Sequence, residues 1–79
     1  MQRAQDLVLY MFPSCPYCQK VLHFMEEHNI EIPTRDITKP QIAAEMVALT
    51  GGETQVPCLA IDGKPLWESA EIIEFLRAL

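Results

Sequence analysis

The sequence is poor in basic residues and contains no basic run. Six lysines and arginines stand against eleven aspartates and glutamates, so the formal net charge is −5. A nucleic-acid-binding surface needs clustered Lys and Arg side chains that neutralise phosphates. The composition therefore argues against nucleic acid as a partner.

Long apolar runs and targeting signals are also missing. No stretch approaches the ~20 apolar residues that cross a bilayer, and residues 1–12 contain no small-residue cleavage site of a secretory signal. We therefore expect a cytoplasmic protein with no membrane partner. The three cysteines, an odd number, favour a reducing compartment over a disulfide framework.

What the chain does contain is enough apolar material for one small packed domain. It has 79 residues, of which 49% are hydrophobic, a composition typical of a globule and not of a disordered tail. No repeat or linker divides it. We expect residues 1–79 to form a single domain, with a flexible polar lead-in at residues 1–5.

Hydrophobic periodicity predicts seven elements in the order β-α-β-α-β-β-α. The apolar run at 6–12 is typical of a strand buried on both faces, and four apolar side chains at helical spacing place a helix at 16–28. The other elements are an outer strand at 30–37, a helix from Pro40 to the Gly51–Gly52 stop, a strand at 56–61, a strand at 64–67 after an Asp-Gly turn, and a helix capped by Ser69. The first half is predicted to be a parallel β-α-β unit and the second a hairpin closed by a helix.

Cys15 and Cys18 enclose Pro-Tyr at the predicted start of the first helix. As a structural staple the pair is weak, because a disulfide over a four-residue loop stabilises by only about 2 kcal/mol, against about 3 for a fifteen-residue loop. As half of a zinc site it would need His23 and His28, which complete the spacing C-x2-C-x4-H-x4-H. In a helix, however, His28 lies roughly 15 Å along the axis from Cys18, too far for tetrahedral ligation. No metal is therefore expected.

The same helix geometry favours a redox pair. Cysteines at i and i+3 around a helix start have Cα atoms roughly 5 Å apart, within disulfide range. Unsatisfied N–H groups and the helix dipole stabilise a thiolate at Cys15, the expected N-cap before Pro16, whereas Cys18 faces the core. An exposed nucleophile beside a less exposed resolving thiol is what thiol–disulfide exchange requires.

With this motif on a strand-to-helix turn, the chain resembles a glutaredoxin over residues 6–79. Cys-Pro-Tyr-Cys is similar to that family's dithiol signature, and Gln55-Val56-Pro57 is similar to its Thr-Val-Pro. The resemblance implies an α/β, thioredoxin-like fold, in which a central four-stranded mixed sheet is flanked by three helices and Pro57 follows a cis peptide. It also implies an enzyme that uses glutathione to reduce disulfides and protein–glutathione mixed disulfides.

The resemblance further implies a role for each residue of the site. Cys15 would attack the mixed disulfide, and Cys18 or a second glutathione would resolve the adduct. Tyr17 would lie along the bound tripeptide, and the Val56 backbone would pair with it as an added strand. Pro57 would lie beside the reactive pair.

The last third, "LWESAEIIEFL" at 66–76, resembles the glutathione-binding domain of glutathione transferases and of the larger glutaredoxins. There a Glu/Gln-Ser pair holds the γ-glutamyl end. This implies that Glu68 receives the ammonium, and that Ser69 and the helix N-terminus receive the carboxylate. A plain surface charge at Glu68 and a plain N-cap at Ser69 are the alternatives. The 79 residues leave no room for the all-helical second domain of a true transferase, so transferase activity is not expected.

Two positions depart from small glutaredoxins. Phe12 stands where that family has Lys three residues before the first Cys, and Glu53 stands where it has a basic residue two before its Thr-Val-Pro. In the family those bases help to stabilise the thiolate and pair with the glycyl carboxylate. Affinity for glutathione is therefore expected to be modest unless Lys20, Lys39 or Gln55 compensates.

Two other functions stay open from the sequence. One is a thioredoxin-like reductant of a dedicated partner, served by a flavin reductase. The other is a binding module: a glutathione-ligated iron–sulfur carrier, or a transferase-like domain without chemistry. Cys58 is interpreted as a buried core thiol, and Trp67 as a packing residue that borders the site. We expect a monomer whose partners are glutathione and disulfide-bonded or glutathionylated proteins.

Overall fold

The computed structural model describes residues 6–78. Its elements are β1 (Leu7–Met11), α1 (Pro16–Glu27), β2 (Thr34–Asp36), α2 (Pro40–Thr50), β3 (Cys58–Ile61), β4 (Lys64–Trp67) and α3 (Ser69–Arg77). This is the predicted order, which is therefore confirmed. The lead-in predicted at residues 1–5 lies outside the described residues.

The four strands form one mixed sheet in the order β2-β1-β3-β4. β1 runs parallel to β2, with Leu9 opposite Thr34, and antiparallel to β3, with Leu9 opposite Leu59. β3 and β4 are antiparallel neighbours. The sheet therefore joins the predicted parallel β-α-β unit to the predicted hairpin, with β2 as an outer strand.

Side-chain alternation along the strands divides the core between the two faces of the sheet. On one face, α1 and α3 pack against β1 and β3; the buried side chains there include Leu7, Leu9, Leu59, Val21, Met25, Ile72 and Leu76. On the other face, α2 packs against the sheet; its buried cluster is Tyr10, Ile42, Met46, Cys58 and Ala60. Cys58 is fully buried, as expected of a core thiol. The helices α1 and α3 thus share one side of the sheet, and both begin beside the Cys-Pro-Tyr-Cys turn.

Several predicted boundaries were too generous. β2 covers three residues instead of 30–37, because the chain first turns out of α1 through Asn29, whose φ is 54°, and the Ile30 N–H bonds back to the Met25 carbonyl. α1 ends at Glu27, one residue earlier than predicted. β3 begins at Cys58 instead of 56, since the preceding proline has no N–H to contribute to a ladder.

The start of α3 corrects a prediction. Ser69 is the first helical residue, and Glu68 occupies the N-cap position with φ 73° and ψ 118°. The Glu68 carboxylate makes no capping hydrogen bond; its carbonyl accepts the first helical bond, from the Ile72 N–H, at 2.9 Å. The prediction that Ser69 caps the helix is therefore wrong. By contrast, the predicted stop of α2 is confirmed: Gly51 adopts a left-handed conformation, φ 82°, that glycine adopts without strain.

Among residues 6–78, no helix combines the length and apolarity needed to span a bilayer.

Candidate active site

The Cys-Pro-Tyr-Cys stretch lies where β1 passes into α1. Cys15 is the N-cap of α1, with extended backbone angles (φ −82°, ψ 122°), and Pro16 is the first helical residue. At that position the missing proline N–H removes no helical hydrogen bond. The Cys15 carbonyl accepts the bond from the Gln19 N–H, at 3.0 Å, that closes the first turn. The predicted N-cap position of Cys15 is confirmed.

The two thiols differ in exposure and in acidity. Cys18 is completely buried, whereas Cys15 is partly exposed. Partial burial alone would raise the pKa of Cys15, but the neighbouring Cys18 N–H, Cys18 thiol and Tyr17 N–H hold that pKa below the ordinary value, although the Cys15 side chain makes no capping hydrogen bond. Burial raises the pKa of Cys18 to about 11; the Phe12 N–H opposes this shift and the neighbouring Cys15 adds to it. The arrangement therefore favours a thiolate at Cys15 and a neutral thiol at Cys18.

Phe12 holds both cysteines through its backbone. Its N–H donates to the Cys18 Sγ at 3.4 Å, and its carbonyl accepts from the Cys15 N–H at 3.0 Å. Its side chain stays 37% exposed beside the motif. Sequence reasoning noticed Phe12 only for the lysine it replaces. The backbone role was missed because any residue except proline supplies the same N–H and carbonyl.

A cavity of about 310 Å³ opens next to this motif. Its wall is formed by the six residues predicted to hold glutathione: Tyr17, Gln55, Val56, Pro57, Glu68 and Ser69. They come from the first turn of α1, the loop before β3 and the start of α3. The fold therefore brings together three segments that are far apart in sequence. Cys15 is not part of the wall, although Tyr17, two residues further along the chain, is.

Two larger openings flank α1. One of about 460 Å³ lies between α1 and α3, and one of about 430 Å³ lies along the outer face of α1. Neither has the Val56–Pro57 segment in its wall, and of the six residues predicted to hold glutathione only Ser69 lines one of them, the opening between α1 and α3. Chemistry therefore favours the smaller cavity as the candidate site over the two larger ones.

The loop at the cavity edge is held from β4. The Val56–Pro57 peptide bond is cis, as the resemblance implies. Trp67, at the end of β4, donates its indole N–H to the Gln55 carbonyl at 2.9 Å. This contact ties the Gln55 wall of the cavity to the strand that leads into α3. Sequence reasoning placed Trp67 at the border of the site but did not identify this contact, because the acceptor is a backbone carbonyl and leaves no residue-type signal.

Glu68 has an unusual backbone for its residue type. Its φ of 73° is one of three positive values among the non-glycine residues within 6–78, and side chains with a Cβ strain there by roughly 1–3 kcal/mol. In this conformation Glu68 lies in the cavity wall beside Ser69. The first turn of α3 adds backbone N–H groups without helical partners, which attract an anion.

His23 and His28, which complete the zinc-type spacing in the sequence, make ordinary contacts along α1. His23 lies 3.9 Å from the Glu27 carboxylate, and His28 Nδ1 lies 3.0 Å from the Phe24 carbonyl and stacks on the Phe24 ring. Within the described part of the chain, no three Cys, His, Asp or Glu side chains are grouped so that they can hold a metal ion.

Comparisons with known proteins agree with this architecture. The sequence matches the model of the Glutaredoxin family over residues 7–66. Glutathione transferase Omega 3C from Trametes versicolor is 30% identical, with a TM-score of 0.75 over 98% of this chain and 34% of that one. Rice GST1 in complex with glutathione is 23% identical, with a TM-score of 0.74 over 98% of this chain and 34% of that one. Glutaredoxin 1 from Francisella tularensis, complexed with cacodylate, is 21% identical, with a TM-score of 0.68 over 95% of both chains.

The chain therefore spans about one third of the length of these transferases and nearly all of the small glutaredoxin. No curated protein sequence matches this chain at the significance required to identify a relative.

The fold is thioredoxin-like, with the four-stranded mixed sheet and three helices that define this class. The family match covers well over half of the sequence. The chain belongs to the glutaredoxin family, whose members are glutathione-related thiol oxidoreductases. The match ends at Leu66, just before Trp67, Glu68 and Ser69; the transferase structures cover 98% of the chain.

Proposed function

We propose that this protein is a glutathione-dependent thiol–disulfide oxidoreductase that reduces disulfides and protein–glutathione mixed disulfides through Cys15 and Cys18. The observation that carries the proposal is the pairing of a thiol of lowered pKa with a cavity whose wall contains all six residues expected to hold glutathione. Membership of the glutaredoxin family supports the reaction class.

The first step is attack of the Cys15 thiolate on the glutathione sulfur of a mixed disulfide. A disulfide forms between Cys15 and glutathione, the original S–S bond breaks, and the substrate leaves as a thiolate that takes a proton from water. The substrate sulfur is reduced, and Cys15 carries the oxidising equivalent. The N–H groups that lower the Cys15 pKa increase the fraction of the attacking sulfur that is ionised at neutral pH.

Two thiols compete to resolve the adduct. A second glutathione thiolate attacks the glutathione sulfur, which forms glutathione disulfide and returns the Cys15 thiolate. Alternatively, Cys18 attacks the Cys15 sulfur, which forms the internal disulfide and releases glutathione. Burial raises the pKa of Cys18 to about 11, so at neutral pH it must lose its proton in order to attack. This favours resolution by glutathione.

The cavity offers a partner to most parts of the tripeptide. The Tyr17 ring, 60% exposed, supplies an apolar face, and the Val56 backbone supplies strand-type hydrogen bonds. Glu68 supplies a carboxylate for the ammonium of the γ-glutamyl group. Ser69 and the free N–H groups of α3 supply donors for its carboxylate.

Trapping the adduct tests this proposal. A Cys18→Ser variant treated with glutathione disulfide is expected to gain the mass of one glutathione, and peptide mapping is expected to place it on Cys15. The Cys15→Ser variant is the matched control and should gain none. No adduct, or an adduct only at Cys58, would contradict the proposal. Faster turnover with a flavin-dependent thioredoxin reductase than with glutathione would instead support the dedicated-partner alternative.

We further propose that the protein acts as a cytoplasmic monomer. All six wall residues come from one chain, so the site needs no second copy. The reaction consumes reduced glutathione, which a reducing compartment supplies. Sedimentation of the reduced protein is expected to give a monomer; a coloured dimer after anaerobic reconstitution with iron and sulfide would favour the iron–sulfur alternative.

A further inference from the structure

The candidate glutathione cavity contains one acidic side chain and no basic one. Of its six wall residues, Glu68 alone carries a charge at neutral pH. The cavity wall is therefore matched to part of glutathione only, because the tripeptide has one ammonium and two carboxylates.

The two ends of the tripeptide meet different surroundings. The ammonium of the γ-glutamyl group pairs with Glu68, and the neighbouring carboxylate pairs with the N-terminus of α3 at Ser69. The glycyl carboxylate lies at the other end of the molecule. In the rest of the wall the polar side chains are those of Gln55 and Tyr17, which are neutral. The second carboxylate thus has no cationic partner in the wall.

None of the five described lysines and arginines lines the cavity wall. Lys39 is the N-cap residue of α2, and Lys64 begins β4. Arg35 is paired with Glu45 at 2.6 Å, on the α2 face of the sheet, and Arg77 lies 3.5 Å from Glu74 at the end of α3. Lys20 is the basic residue associated with a wall residue, since its Nζ lies 5.8 Å from the centre of the Tyr17 ring. Lys20 lines the two grooves beside α1 and not the cavity.

The loop that supplies Gln55 adds further negative charge. Glu53 precedes Gln55 by two residues, and its backbone is held by Thr50, whose hydroxyl donates to the Glu53 carbonyl at 2.7 Å and accepts from the Glu53 N–H at 2.8 Å. The Glu53 backbone is therefore held on the loop that supplies Gln55, and its exposed carboxylate adds negative charge near the cavity without being part of the wall.

We propose that the cavity selects γ-glutamyl-cysteinyl thiols whose C-terminal group is neutral or cationic, in preference to glutathione with its free glycyl carboxylate. The inference rests on the proposed function and narrows its substrate class. A C-terminal amide removes the unpaired charge, and it both donates to and accepts from the Gln55 side chain. Glutathione remains a substrate, but a weaker one.

The test compares two disulfides that differ only in this group: glutathione disulfide and the disulfide of glutathione amide. Each reacts with the Cys18→Ser protein by the same exchange, in which the Cys15 thiolate displaces one thiolate from the disulfide. Each rate constant for adduct formation is divided by the rate constant of the same disulfide with dithiothreitol, which removes differences in intrinsic reactivity. At low salt the amide is expected to be faster by about fivefold, and 0.5 M salt should shrink the ratio.

A pair of matched substitutions distinguishes an effect of the cavity wall on the reaction rate from an effect of the protein's net charge. Gln55→Arg in the Cys18→Ser background is expected to speed the reaction of glutathione disulfide by about fivefold and to leave that of the amide nearly unchanged. Gln41→Arg adds the same charge at an exposed position of α2 outside every cavity wall described above. It should leave the ratio of the two disulfides unchanged.

Three results would overturn the inference. One is wild-type preference for glutathione disulfide after correction. Another is an equal effect of the two arginine substitutions, which would assign the preference to net charge. The third is a loss specific to glutathione disulfide in Lys20→Gln or in Lys39→Gln, which would identify that lysine as the missing cation. An absence of adduct at Cys15 with both disulfides would instead overturn the proposed function itself.

Discussion

The site lies between two helix starts that are built in opposite ways. At α1 the N-cap residue Cys15 has ordinary extended angles, φ −82° and ψ 122°, and is followed by a proline. At α3 the N-cap residue Glu68 is held at φ 73°. The first start lowers the pKa of a thiol with backbone N–H groups and the neighbouring Cys18 thiol. The second has a strained residue whose charge lies in the cavity wall. We infer that α1 supplies the chemistry and α3 supplies recognition.

Removing the thiol at α1 is expected to have the largest effect. Cys15→Ser should lower glutathione-dependent turnover by roughly a thousandfold or more, because a serine hydroxyl does not ionise near neutral pH. Ser69→Ala at the start of α3 should instead raise KM by only about fivefold with kcat retained, since it removes one hydrogen bond to the ligand. Steady-state kinetics of both variants with a glutathione mixed disulfide measure this difference. A loss of kcat in Ser69→Ala would contradict the assignment of chemistry to α1 and of recognition to α3.

The second largest expected effect is a loss of stability at alkaline pH, which arises from Cys18 in α1. The pKa of Cys18 is raised to about 11 by burial, so its stabilising contribution is complete below the ordinary thiol pKa and is lost as pH rises toward 11. The loss from Cys18 should reach about 2 kcal/mol by that pH.

Urea unfolding of the reduced protein at pH 7.5 and pH 10.5, compared with Cys18→Ser, measures this contribution. Cys15 acts with the opposite sign, because its lowered pKa favours the folded state once its thiolate forms. A Cys18→Ser protein that loses as much stability with pH as the parent would show that Cys18 is not the titrating group.

A third change, at Glu68, is expected to weaken ligand binding and to increase the stability of the fold. Glu68→Gly should raise the free energy of unfolding by about 1 kcal/mol, because relief of roughly 1–3 kcal/mol of strain exceeds the extra chain entropy of glycine. The same variant should weaken binding of S-methylglutathione by about fivefold, through loss of the carboxylate.

Glu68→Gln is the control, since it loses the charge and keeps the strain; it should bind as weakly as Glu68→Gly but gain no stability. Calorimetry and urea unfolding measure the two quantities. Tighter binding in either variant would argue against a recognition role for Glu68.

The smallest expected effect is at Phe12. Phe12→Lys keeps both backbone contacts and adds a surface charge near Cys15, so the pKa of Cys15 should fall slightly and adduct formation at pH 6 should accelerate by up to about threefold. Phe12→Pro, which lacks the N–H that donates to the Cys18 Sγ, should slow it. An increase of tenfold or more in Phe12→Lys would mean that the helix start alone is a weak activator of Cys15.

The two helix starts also differ in how well the sequence predicted them. Proline after Cys15 points to an N-cap at Cys15, and the structure confirms it. At α3, serine is a favoured N-cap residue, so pattern rules chose Ser69. The structure instead places a non-glycine residue at positive φ, which residue preferences do not foresee.

The cavity wall was predicted through the family resemblance, whereas two supporting contacts were not. The contacts of Phe12 with the cysteines and of Trp67 with Gln55 end on backbone atoms. Such atoms are the same in every residue, so they leave no pattern to read. The outer strand β2 was predicted but its shortness was not, because the turn through Asn29 depends on a backbone angle.

Binding of a ligand that cannot react tests the central claim most directly. S-methylglutathione carries no free thiol, so its effect on the amide resonances of the reduced protein reports binding without chemistry. We expect the largest shifts at Tyr17, Gln55, Val56 and Ser69, the walls of the smaller cavity. Shifts centred instead on the groove between α1 and α3, at His23 and Ile73, or no shifts at all, would contradict it.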